Sequence, residues 1–295
     1  MHEHQHEILG RLESRVAALP ILPEVVVNLL RLDPADNQYF EQVFSYISGD
    51  PGFATRLLQF ANSAFFGPPR AVTTLSEAML RVGAKEAANL VLAHSAATIF
   101  LPRTDWQRNL WVHAILVAKV MSKLAVWVVP QGLDGEKAYL FGLLHDIGRF
   151  VLYLEAPEHL RLIDETEWDC PDALVKAETE VCGFTHAELG YLALEKWGLP
   201  WELSLAVRYH HTVPFPPVDF PASYLPLNYL LQDADRIAIA ASRKGSEYCK
   251  SPSQDFLVQL REHLRSRYSL SLGKIADEIS HAIDESEALI RLLKI

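Results

Sequence analysis

With 295 residues, 49% of them apolar, the chain can bury a sizeable core, and nothing in it suggests disorder. Its formal charge of -10 argues against an extended nucleic-acid surface, which needs a basic stripe. Cys170, Cys182 and Cys249 form an odd set without CxxC spacing, which argues against a disulfide framework or thiolate zinc site and fits a reducing cytoplasm.

The start carries His2, His4 and His6 but no basic region followed by an apolar one, so it reads as a flexible polar terminus rather than a leader. No run is read as membrane-spanning. The most apolar stretch, Ala114 to Val129, is interrupted by Lys119 and Lys123. Apolar residues recur at helical spacing nearly throughout, which predicts an all-α protein.

In chain order, helices are expected over about 8–19, up to Pro20, and from Pro23 to about 32. Others follow over 39–47 and from Pro51, where Asp50 is the cap and Phe53, Leu57, Leu58 and Phe60 form the stripe. Phe65 and Phe66 are expected to close a corner of the bundle, and Asn62 to tie down the turn before them. A short helix over 75–81 precedes one over 85–100, which carries His94, read as a core residue.

Residues 101–105 are the best boundary. They divide an extension (1–14) and an N-terminal helical half (15–103) from a half that carries the chemistry (104–242), with a C-terminal helical extension after it (243–295). In the second half, helices are expected over 106–128 and, unbroken, over 135–154, then two connectors near 158–165 and 171–181. Thr185 and Glu188 form a capping-box signature for the next helix, which Gly198-Leu199-Pro200 ends. A helix from Trp201 ends at His210-His211, a stiff loop holds Pro214 to Pro221, and a helix runs over 224–242. Two amphipathic helices are expected in the tail. One holds Phe256, Leu257, Leu260 and Leu264, the other Ile275, Ile279, Ile283, Leu289 and Leu293.

The chemistry centres on His145-Asp146 within Leu143-Leu144-His145-Asp146-Ile147-Gly148-Arg149, joined by His113, His186, His210, His211 and Asp235. Taken singly, each of these added residues has an ordinary reading. Histidines at a helix C-terminus are stabilised by the dipole, and a lone His or Asp on an amphipathic helix needs no ligand. Together they form a histidine and carboxylate set without thiolates, which suits iron, manganese or zinc, as one ion or as two bridged by Asp146. His186, in a first turn, is expected to stay neutral because the helix dipole disfavours imidazolium there.

The segments Phe141 to Arg149, Thr185-His186-Ala187-Glu188-Leu189-Gly190, Trp197-Gly198-Leu199-Pro200 and His210-His211 resemble the HD superfamily of metal-dependent phosphohydrolases. Leu19 to Val25, Asp50-Pro51 and Ala61-Asn62-Ser63-Ala64-Phe65-Phe66-Gly67 narrow the resemblance to the HDOD family, over about residues 15–242. That resemblance implies an HD-type helical bundle with an N-terminal helical subdomain, acting as an output module of bacterial signalling. The implied partner is a signalling protein or a small phosphorylated ligand. The alternative is an active phosphohydrolase on a nucleotide or cyclic dinucleotide, with Asp146 and Arg149 as its catalytic residues. The chain departs from the HD-GYP phosphodiesterases: Thr212-Val213-Pro214 stands in place of their glutamate and Gly-Tyr-Pro element, and Arg149 in place of their lysine. No oligomeric state is implied.

Overall fold

A computed structural model describes residues 10, 12–20, 23–66, 71–128, 135–166, 168, 170–212, 222–244 and 272–294. Among these there is no strand, and the protein is an all-α bundle. The histidine-bearing start, the Pro214–Pro221 loop, the amphipathic segment expected near 253–264 and Cys249 lie outside the described residues.

The first half holds α1 (Glu24–Arg31), α2 (Tyr39–Ser48), α3 (Pro51–Ala61), α4 (Leu75–Val82) and α5 (Ala84–Ile99). Local chemistry sets their ends. The Asp50 carboxylate accepts from the backbone N–H groups of Gly52 at 2.7 Å and Phe53 at 3.2 Å, and Pro51 follows as the first helical residue. Asn62 closes the turn after α3, donating to Leu58 O at 2.9 Å and Val72 O at 2.8 Å and accepting from Val72 N at 2.8 Å. Phe66 packs edge-on against Phe60, while Phe65 is 39% exposed, so only one ring of the pair closes the corner. His94 accepts from Arg56 Nε at 3.1 Å, a satisfied histidine as expected.

The second half is built around α6 (Asp105–Val128). It is buried on every side over residues 114–121 and lies at the centre, packed by α7 (Gly135–Leu144), α13 (Leu225–Lys244) and the last helix, α14 (Leu272–Leu293). Contrary to the sequence expectation, its segment Asp105–Trp127 is long and apolar enough to cross a membrane. With 67% of its most apolar stretch buried inside the protein, it is the core helix of the bundle. Gly142 permits a close approach to it: a Cβ there would lie 2.6 Å from Ala118 Cα on α6.

The remaining helices are α8 (Ile147–Glu155), α9 (Pro157–Asp164), α10 (Pro171–Cys182), α11 (His186–Lys196) and α12 (Trp201–Tyr209). One expectation fails in a useful place. The helix predicted over 135–154 is two, α7 and α8, broken at His145 and Asp146. Asp146, with φ -96° and ψ 16°, caps α8 by its backbone, the Arg149 N–H reaching its carbonyl at 2.8 Å. The break frees both side chains from a common helix surface and lets them turn into the same space.

Candidate metal centre

All seven residues singled out as ligands meet. His113 comes from α6, His145 and Asp146 from the α7–α8 break, His186 from the first position of α11, His210 and His211 from the turn after α12, and Asp235 from α13. The Thr185–Glu188 capping box is formed in full and fixes the start of α11. Gly148 lets α8 touch that start: a Cβ there would lie 1.9 Å from His186 O, so any larger residue would push Asp146 and His186 apart.

The rings are aimed from behind. His145 Nδ1 lies 2.7 Å from Gly142 O and His210 Nδ1 lies 2.6 Å from Val207 O. Carbonyls only accept, so each Nδ1 carries the proton and each Nε2 turns a lone pair inward. His186 Nδ1 is held at 2.6 and 2.7 Å by the two oxygens of Glu178. The inward nitrogens then crowd together: His113 and His145 Nε2 are 3.2 Å apart, His186 and His210 Nε2 3.1 Å, and His186 and His211 Nε2 3.1 Å.

Two donor clusters result, Asp146 with His186, His210 and His211, and Asp235 with His113 and His145. Within each, the donor atoms lie within 4.8 Å of one another. Asp146 touches both. Its Oδ1 is 3.2 Å from His186 Nε2 and 3.7 Å from His210 Nε2, while its Oδ2 is 3.7 Å from His113 Nε2. Asp235 Oδ1 is 3.1 Å from His113 Nε2.

The electrostatics call for positive charge. Burial favours neutral rings, and it takes His145 down to about 4 and, together with the neighbouring histidines, His211 well below its ordinary value. At His186 burial is outweighed by Glu178 and Asp146, which raise it to about 10. At His113 burial is likewise outweighed, by Asp235 and then Asp146. Burial would raise both carboxyls, but His145, His186 and His210 hold Asp146 well below the usual range, and His113 lowers Asp235. Before an ion binds, the two buried carboxylates Glu178 and Asp146 draw a proton onto His186; a cation at Nε2 would displace that proton and leave the neutral ring that coordination needs. Convergent nitrogen lone pairs and ionised carboxylates, with no thiolate, fit a borderline divalent cation.

A cleft of about 350 Å³ opens onto His113, Asp146, His211 and Asp235. Arg149 lies on its wall, paired with Asp164 and stacked over Trp168, its Cζ 5.3 Å from the ring centroid.

Glu178 was missed. It lies on α10, a helix read only as a connector, yet it is fully buried. The available signal was its place on the apolar stripe of that helix, with Leu174, Ala177 and Cys182, where an acid needs a partner.

Fold and site define an all-helical protein with a buried histidine and aspartate centre of the HD kind. The HDOD domain model matches residues 19–213, and the chain belongs to the HDOD family. An uncharacterized protein of Treponema pallidum (strain Nichols) is 27% identical over 216 residues, which cover 72% of this chain and 42% of that protein. The chain thus spans less than half the length of that curated relative. An HDOD domain protein of unknown function from Geobacter sulfurreducens has a TM-score of 0.70 at 20% identity, covering 99% of both chains. A protein from Marinobacter aquaeolei VT8, proposed to act in signal transduction, has a TM-score of 0.70 at 21% identity, covering 99% of this chain and 65% of that one. These structural likenesses establish the fold.

Proposed function

We propose that this chain is a cytoplasmic signal-transduction output module whose core is organised by one or two divalent ions, iron, manganese or zinc. His113, His145, Asp146, His186, His210, His211 and Asp235 would hold them. A bound ion supplies concentrated positive charge at a point where seven side chains present lone pairs. The chain's own residues do the rest: carbonyls and Glu178 orient the rings, and the Asp146 carboxylate lies against both clusters.

The observation that carries this reading is the convergence of donors from five separate places in the chain. An ion there would tie α6, α11, α12, α13 and the α7–α8 break together, and the face of the bundle offered to a partner would then depend on the centre being filled. The partner is a signalling protein or a small phosphorylated ligand. Elemental analysis of purified protein tests the centre: we expect bound iron, manganese or zinc, and protein that stays metal-free after reconstitution would sink the reading.

The cleft favours a second reading, a phosphohydrolase acting on a nucleotide or cyclic dinucleotide. It places Arg149 and Trp168 beside the donors, and buried guanidinium groups recognise phosphates. That reading requires phosphatase or phosphodiesterase turnover that Asp146→Ala abolishes. Turnover surviving the substitution would move the active centre elsewhere.

A further inference from the structure

The three rings held from behind are not held by equal groups. Neutral backbone carbonyls, Gly142 O and Val207 O, hold His145 and His210. His186 is held by a full carboxylate. Glu178 is wholly buried, accepts from the ring Nδ1–H at 2.6 and 2.7 Å, and accepts from the His186 backbone N–H at 2.9 Å. Among the described residues, every hydrogen bond of this carboxylate goes to His186.

A carboxylate in such a place costs desolvation unless its charge is used. It belongs to neither donor cluster, standing one layer outside them, on a helix that carries no ligand. A carbonyl behind an imidazole fixes the ring and its tautomer. A carboxylate does both and also pulls the Nδ1 proton toward itself, which makes Nε2 a stronger donor. The backbone bond adds a further constraint, because one side chain then locks the start of α11 and the ring that this start carries.

We infer that Glu178 is a positioning residue of the metal centre, which aims His186 Nε2 at Asp146 and strengthens metal binding selectively in the cluster of Asp146, His186, His210 and His211. This rests on the metal reading above. Among the described residues, the cluster of His113, His145 and Asp235 shows no such group behind a ring, since its one ring held from behind is held by the Gly142 carbonyl.

The test is a zinc competition titration of metal-free wild type, Glu178→Gln and Glu178→Asp, each checked by thermal melting in the metal-free state. Glu178→Gln removes the charge with little change of shape, and one zinc site should weaken by about 10–100-fold. Glu178→Asp keeps the charge on a shorter arm and should recover part of that loss. A merely structural role would lower the melting temperature and leave zinc affinity alone. Wild-type zinc affinity in a folded Glu178→Gln protein would overturn the inference. Should that variant fail to fold, Glu178→Asp decides: weakened zinc binding with a native melt supports it, and unchanged binding overturns it. Wild type that binds no zinc would instead sink the metal reading itself.

Discussion

Helix α6 carries two buried polar clusters, and they solve the same problem in opposite ways. At His113 the chain gathers lone pairs and carboxylates that face one another, and only added positive charge, as protons or a cation, can reconcile them. Six residues on, Lys119 is 1% exposed and complete by itself. It pairs with Glu86 on α5 and with Glu285 on α14, the latter at 3.4 Å, and Glu285 also pairs with Lys123. Lys119 also lies 5.5 Å from the centroid of the Tyr139 ring. A buried cluster whose charges cancel within the chain holds helices together. One whose donors all point inward needs something from outside.

The sharpest way to break this comparison is to remove the residue that joins the two donor clusters. Asp146→Ala should abolish metal loading, read as metal content per chain, because both clusters lose an oxygen at once. Lys119→Met should leave metal content at the wild-type level. It should instead lower stability in urea by about 3–5 kcal/mol, because Glu86 loses the cation it pairs with and Glu285 is left to Lys123 alone. Metal loss from the Lys119 variant as well would show that the two clusters form one unit. Smaller again is the effect of the ion on the wild-type fold. Free metal at 100 times its dissociation constant should stabilise the protein by about 2.7 kcal/mol relative to chelated protein, with no such gain in Asp146→Ala.

Much of this was legible in the sequence, and the failures share one cause. Helices bounded by their own caps, such as those after Asp50 and Thr185, were readable because the signal is local. The seven donors were readable as a set because each is a metal-ligating type. The break at His145 and Asp146 was not, since apolar residues flank it on both sides, Leu143 and Leu144 before and Ile147 after, and no proline marks it. What opens it is tertiary: α8 sits against the start of α11 through Gly148. Glu178 was hidden for the same reason. The ring's environment is set by Glu178 at 2.6 Å, on a neighbouring helix, more than by the terminus on which the ring sits.

The least disruptive probe of the comparison is pH, applied where no ligand titrates. Burial alone would raise the Glu86 carboxyl, but Lys119 and then Lys123 outweigh it and hold it below its ordinary value of 4.5. A carboxyl depressed by folding stabilises the fold above its unfolded value and loses that contribution as pH falls through the folded one. Glu86→Gln should therefore cost about 1 kcal/mol at neutral pH, as expected for a part-exposed pair. The difference should begin to shrink as pH falls past 4.5 and vanish only once pH is below the depressed value of the folded carboxyl, where that group too is neutral. Subtracting the two denaturation series cancels the other carboxyls, Asp146 and Asp235 included, and leaves Glu86 alone. A difference that stays constant through acid would mean that Glu86 acts by shape, and the Lys119 cluster would no longer be the charge-balanced counterpart of the metal centre.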